Sequence, residues 1–158
     1  MILSISKDSA KSKIGEKLVV YTDGGARGNP GPAAVGVVIK DESGRFLKSY
    51  GETIGEKTNN EAEYAAVIFA LKKLRALWGK KKTKELAVEV NMDSELVVQQ
   101  LSGEYKVEDE RLSALFIKIW NLKVDFSKVV FQYIPREKNK EADRLVNEAL
   151  DNPQTQLF

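Results

Sequence analysis

Leu18-Val19-Val20-Tyr21-Thr22-Asp23-Gly24-Gly25-Ala26-Arg27-Gly28-Asn29-Pro30-Gly31 is followed, after Pro32, by Ala33-Ala34-Val35-Gly36-Val37-Val38-Ile39-Lys40. Leu18–Asp23 reads as a buried strand that ends on a carboxylate. The glycine- and proline-rich run is a loop, and the second apolar run is another strand. The loop is not a Walker loop, because no Gly-Lys-Ser/Thr follows. Nor does it open a helix, as a dinucleotide fingerprint does. It is either a tight connection or a surface where backbone N–H groups and Asn29 meet a polar ligand.

Working outward, Asp41-Glu42-Ser43-Gly44 is a turn signal that pairs Arg45–Ile54 back as a hairpin. Asn59–Leu77 is a long helix stopped at Gly79. Leu86–Met92 is a strand, and Ser94–Leu101 a short helix capped by Asp93 or Ser94. After the loop Gly103–Lys106 come a helix over Glu108–Leu122, a strand over Val129–Ile134 and a last helix over Asn139–Leu150. Three strands joined by tight turns are expected to be antiparallel. Strands separated by helices are expected to be parallel crossovers. The fold class is α/β, with one domain over residues 17–150. Residues 1–16 read as a flexible leader, with a short edge strand at Ile2–Ile5 as the alternative, and residues 151–158 as a C-terminal tail.

Composition narrows the chemistry. The chain has 158 residues, with 25 Lys+Arg against 23 Asp+Glu, so net charge points to no partner. It has no Cys and no His, which excludes Ser-His and Cys-His catalysis, thiolate chemistry and imidazole zinc sites. Lys7 and Asp8 interrupt the apolar start before a signal sequence could form, and no run approaches a membrane span. A cytoplasmic location is the default expectation.

Four carboxylates stand in informative places: Asp23 and Asp93 at strand ends, Glu63 near the start of the long helix, and Asp143 early in the last helix. Each alone has a plainer reading as a turn former, cap or solvated residue. Together, with no matching base, they suggest a hard divalent cation with oxygen ligands. Glu61 and Glu63 point roughly 160° apart on a helix, so only one faces the sheet. Glu63 shares its face with Ala66, Val67, Ala70, Leu74 and Leu77, whereas Glu61 shares its own with Ala65, Ile68, Lys72 and Arg75. Glu63 therefore heads the apolar stripe. Its competing role is that of a first-turn or capping glutamate.

The runs Thr22–Pro32 (TDGGARGNPGP), Thr58–Tyr64 (TNNEAEY), Met92–Leu101 (MDSELVVQQL) and Arg136–Leu145 (REKNKEADRL) together resemble type 1 ribonuclease H, in family order over residues 18–150. The resemblance implies a five-stranded mixed sheet with helices on both faces, in keeping with the element order above. It implies that Asp23, Glu63, Asp93 and Asp143 bind two Mg²⁺ ions, for which Mn²⁺ can substitute. It implies endonucleolytic cleavage of the RNA strand of an RNA–DNA hybrid by a monomer, leaving 5′-phosphate and 3′-hydroxyl ends. Two ions about 4 Å apart stabilise both the attacking and the leaving oxygen of an in-line displacement. RNA is told from DNA by its 2′-hydroxyls in a shallow minor groove. The matching positions are Gly24, Ala26, Asn29, Asn59, Asn60 and Glu95, with Thr58 at a DNA-phosphate contact. Helix capping is the competing role for Asn59 and Asn60.

The sequence also departs from the family. Many bacterial members carry a histidine in the loop before the last Asp; this chain resembles archaeal and some bacterial members that lack it. Arg136 is the candidate substitute. It would contact phosphate but could not shuttle protons, because its pKa is too high. Glu95 stands where many members have Gln. The basic protrusion of some members is missing, and Lys80-Lys81-Lys82 with Lys84 reads as a solvated charge run. Similar histidine-lacking proteins suggest a broader specificity that includes RNA–RNA duplexes. A catalytically silent duplex-binding module on the same fold is the alternative of a different class.

Overall fold

The computed structural model describes residues 16–153. Five strands form one sheet in the order β3-β2-β1-β4-β5: β1 Lys17–Ala26, β2 Gly31–Asp41, β3 Phe46–Lys57, β4 Ala87–Met92 and β5 Lys128–Tyr133. β1–β2 and β2–β3 are antiparallel, while β1–β4 and β4–β5 are parallel. The division expected from connection lengths is the one observed. The helices are α1 Asn59–Trp78, α2 Lys80–Thr83, α3 Glu95–Leu101, α4 Glu110–Lys123 and α5 Lys140–Asp151, with a 3₁₀ turn at Arg136–Lys138.

The main core joins Leu18, Val20, Val37 and Ile39 of the sheet to Tyr64, Val67, Leu71 and Leu74 of α1, with Leu112 and Ile119 of α4 behind them. A smaller cluster of Ala34, Val146 and Ala149 seats α5 on the other face. Strand alternation divides β1 between the two helices. An added Cβ at Gly24 would lie 2.0 Å from the Ala62 carbonyl oxygen of α1, and one at Gly25 would meet Val146 of α5. Glycine at 24 is what lets the first turns of α1 approach β1.

Several boundaries differ from expectation. β3 runs on to Lys57, sustained past Ile54 by pairing with Gly31–Ala33. α4 starts later, because Asp109 caps it by accepting from the N–H groups of Arg111 and Leu112. Ser94, not Asp93, caps α3. α5 continues to Asp151, which pairs with Arg27 at 2.8 Å, so this residue belongs to the body. Leu77 is exposed, while Tyr64, outside the expected stripe, is fully buried. The lysine run is no open loop: Lys80–Thr83 is one helical turn, and Lys82 lies 3.5 Å from Glu16. That contact stands at the end of the sheet where β1 and β4 begin. The expected leader lies outside the described residues except for Glu16, whose carbonyl accepts from Ala87. The edge strand at Ile2–Ile5 and the tail beyond residue 153 lie outside them too.

Candidate active site

The crossover from β1 to β4 brings Asp23 and Asp93 together at the carboxyl ends of two adjacent parallel strands, where α/β sheets place their sites. Glu63 joins them from α1. One carboxylate oxygen from each of Asp23, Glu63 and Asp93 lies within 4.8 Å of the others. Asp143 stands outside this trio but near enough to Asp23 to raise the pKa of its carboxyl.

The two glutamates of the first α1 turns have different surroundings. Thr58 is the N-cap of α1: its hydroxyl accepts from the Glu61 N–H at 3.1 Å, and Glu61 Oε1 accepts from the Thr58 N–H at 2.8 Å. This reciprocal pair occupies Glu61 and Thr58 and leaves Glu63 free for the carboxylate cluster.

Crowding the acids raises their pKa values. Burial, then the charges of Asp93 and Asp143, push Asp23 up to about 8, with Arg136 pulling the other way. Burial, then the charges of Asp23 and Asp93, hold Glu63 well above the ordinary carboxylate range, against the Gly24 N–H and Arg136. Glu63 Oε1 is buried and has no hydrogen-bond partner. Oxygen-only donors, an unsatisfied buried acceptor and carboxyls whose pKa values are raised by burial and by one another are the surroundings that a hard divalent cation fits.

The glycine loop between β1 and β2 is tied to both flanking helices. Asn59 Oδ1 accepts from the Ala26 N–H at 2.9 Å, and the Asn59 N–H donates to Asn29 Oδ1 at 2.9 Å. Arg27 reaches α5, pairing with Asp151 and donating to Asn147. Asn59 therefore latches the loop and does not cap the helix. Asn60 is half-buried in the first turn, and Glu95 is exposed at the start of α3. Arg136 is exposed on the 3₁₀ turn, with its charge felt at both Asp23 and Glu63.

One residue of the site was not anticipated. Asn139 is 1 % exposed, and its Nδ2 donates to the Thr22 carbonyl at 2.9 Å and to Asp93 Oδ2 at 3.1 Å. In the sequence it reads only as the start of a helix.

The sequence profile of the family described as reverse transcriptase-like matches residues 21–149. LC11-RNase H1, isolated from compost, superposes with a TM-score of 0.82 at 52 % identity, covering 87 % of this chain and 98 % of that one. The chain belongs to the type 1 ribonuclease H family. A ribonuclease HI of Halobacterium salinarum is 40 % identical over 87 % of this chain and 66 % of its own length, and the RNase H1 structure from that archaeon gives a TM-score of 0.80. A bifunctional protein of Mycobacterium tuberculosis is 38 % identical over 85 % of this chain. The match spans only 36 % of that protein, so this chain corresponds to about a third of its length. The five-stranded mixed sheet with flanking helices is the architecture these family members share. LC11-RNase H1 has also been crystallised with an RNA/DNA hybrid; that form shares 51 % identity and a TM-score of 0.82 with this chain.

Proposed function

We propose that this domain is a metal-dependent endonuclease that hydrolyses the RNA strand of RNA–DNA hybrids, leaving 5′-phosphate and 3′-hydroxyl ends. The observation that carries the reading is the convergence of Asp23, Glu63 and Asp93 within 4.8 Å, with Asp143 alongside Asp23. These four would hold two divalent ions, Mg²⁺ or in its place Mn²⁺, which supply charge for the attacking and departing oxygens of an in-line displacement.

The chain's own residues define the rest. Glu63 and Asp23, whose burial and crowding disfavour the charged carboxylate, would ligate a bound cation through their deprotonated oxygens. The end of β1, with Gly24 and Ala26, and Asn29 of the latched loop stand by Asn59 and Asn60 at the start of α1, a row of backbone and amide groups suited to a 2′-hydroxyl, which both donates and accepts. Glu95 stands at the edge of that row. Thr58 keeps a hydroxyl proton free while its oxygen caps α1, so it can serve a DNA phosphate as well. Arg136 offers a cation to the phosphate next to the carboxylates. The lysines at 80–82 lie by the end of the sheet where β1 begins, away from Asp23 and Asp93.

The test uses labelled RNA–DNA, RNA–RNA and DNA–DNA duplexes with Mg²⁺, Mn²⁺ or EDTA. Cutting confined to the RNA of the hybrid, dependent on metal and lost in Asp93→Asn, is the expected result. Binding without cleavage in either metal would make this a silent recognition module, and cleavage of RNA–RNA would widen the substrate class.

A further inference from the structure

We propose that Asn139 is a positioning residue: its carboxamide fixes the Asp93 carboxylate against the end of β1 and thereby sets the spacing of the cation-holding oxygens. The proposal rests on the reading that these carboxylates hold divalent ions.

Asparagine at the start of a helix ordinarily caps it, accepting from a backbone N–H of the first turn. Asn139 occupies that place before α5 and makes no such bond. Its side chain turns away from the helix and into the carboxylate cluster. Both amide protons are used there, one on the Thr22 carbonyl and one on Asp93 Oδ2. Neither partner can donate, a carbonyl in one case and a carboxylate oxygen in the other. The amide nitrogen must therefore be the end between them.

The backbone of Asn139 completes the connection, because its carbonyl accepts from the Asp143 N–H at 3.1 Å. One buried residue thus touches the neighbour of Asp23, the carboxylate of Asp93 and the backbone of Asp143. The arrangement forgoes a side-chain cap. It also leaves Asn139 Oδ1 buried with no partner, a desolvated acceptor. What it secures is the direction of Asp93, which follows the last residue of β4 and has no regular element of its own to orient it.

Groups that hydrogen-bond to metal ligands orient them, and their loss typically weakens metal affinity by about 10- to 100-fold. The competing role is a structural pin that holds α5 on β1 without influence on Asp93. Two substitutions separate them. Asn139→Ala removes the side chain; Asn139→Leu keeps its branched shape and fills the site while removing both amide N–H groups. Each is compared with the unsubstituted chain for Mn²⁺ affinity, measured by the electron paramagnetic resonance of free Mn²⁺, for kcat and KM on the hybrid, and for Tm in EDTA. Positioning predicts Mn²⁺ binding weaker by about 10- to 100-fold, a lower kcat that excess metal partly restores, and an unchanged KM. A lowered Tm with Mn²⁺ affinity equal to that of the parent chain would overturn the proposal. If the parent chain itself bound no Mn²⁺, the metal reading would fall and Asn139 with it. Intact binding that is indifferent to both substitutions removes Asn139 alone.

Discussion

Gly36 and Ala142 are in backbone contact distance across the β2–α5 interface: a Cβ built on Gly36 would lie 2.2 Å from the Ala142 carbonyl oxygen. Gly36 is the ladder partner of Asp23, and Ala142 precedes Asp143. The absence of one side chain in β2 is therefore what brings α5, and with it Asp143, down to Asp23. Gly51, the partner of Gly36 in β3, extends the trench; a Cβ there would meet the Leu145 carbonyl at 2.9 Å.

Gly36→Ala is expected to lift α5, to cost about 1–3 kcal/mol as an overpacked contact, and to lower metal-dependent cleavage through Asp143. Gly24→Ala, blocked by the Ala62 carbonyl, should do the same through Glu63. Gly25→Ala is the control, since its Cβ would sit 3.5 Å from a Val146 methyl, an ordinary contact. Thermal denaturation and cleavage assays of the three variants check the order. A Gly25 variant as damaged as the other two would contradict it.

The two glutamates of the first α1 turns should separate cleanly. Glu61→Ala removes half of the reciprocal cap and is expected to cost about 0.3–1.5 kcal/mol with the activity per folded molecule retained. Glu63→Gln should leave the fold intact, because a neutral amide of the same shape suits a place where burial already disfavours the charged carboxylate, and should abolish cleavage. Chemical denaturation with parallel rate measurements distinguishes them. Activity surviving in the Glu63 variant would remove that residue from the site.

Much of this was legible in the chain. Hairpin turns and helix-length spacers fixed which strands run antiparallel and which cross over, because connection length limits topology physically. Helical periodicity and the charge of the helix N-terminus single out Glu63, and Glu61 is engaged in the cap. What stayed hidden depends on contacts between distant segments. Asn139 looks like any helix-starting asparagine until Thr22 and Asp93 stand beside it. The stripe overreached at Leu77, which is exposed while Leu74 and Trp78 carry the core contact at that end of α1, and the buried Tyr64 donates to Gln100 Oε1 at 2.6 Å, a partner 36 residues away. The 3.5 Å contact of Lys82 with Glu16 likewise joins segments no local pattern links.

Arg136 lies on an exposed turn, so removing it should leave stability nearly unchanged. Its positive charge nevertheless acts on both Asp23 and Glu63. Arg136→Ala is expected to lower kcat/KM on the hybrid, and Arg136→Lys to recover part of the loss by keeping the charge without the planar fork. Steady-state kinetics of the two variants decide it; equal activity in Arg136→Ala and the parent would leave the turn without a part in the reaction.

The carboxylate cluster should make the metal-free protein sensitive to alkali. Asp23 is raised from an ordinary 3.8 to about 8, and Glu63 is raised well above 4.5. Both groups therefore hold protons more tightly in the folded chain than in the unfolded one. Between the two pKa values the native state binds more protons, so the free energy of unfolding falls as pH rises. The stabilising contribution is complete below the ordinary carboxylate range and is lost as pH climbs through the folded value of Asp23. In EDTA, Tm is expected to decline from mildly acidic to mildly alkaline pH. Asp23→Asn removes the titrating group and its like-charge repulsions with Asp93, Asp143 and Glu63, so it should flatten the decline and raise Tm at alkaline pH while eliminating cleavage. Mg²⁺ or Mn²⁺ should reverse the slope in the parent chain, because cations bind the deprotonated ligands and their affinity grows as protons leave. Thermal scans across that pH range, with and without metal, measure both effects. A parent chain and an Asp23→Asn variant with parallel Tm profiles in EDTA would show that Asp23 ionises without penalty and that the cluster is not short of positive charge.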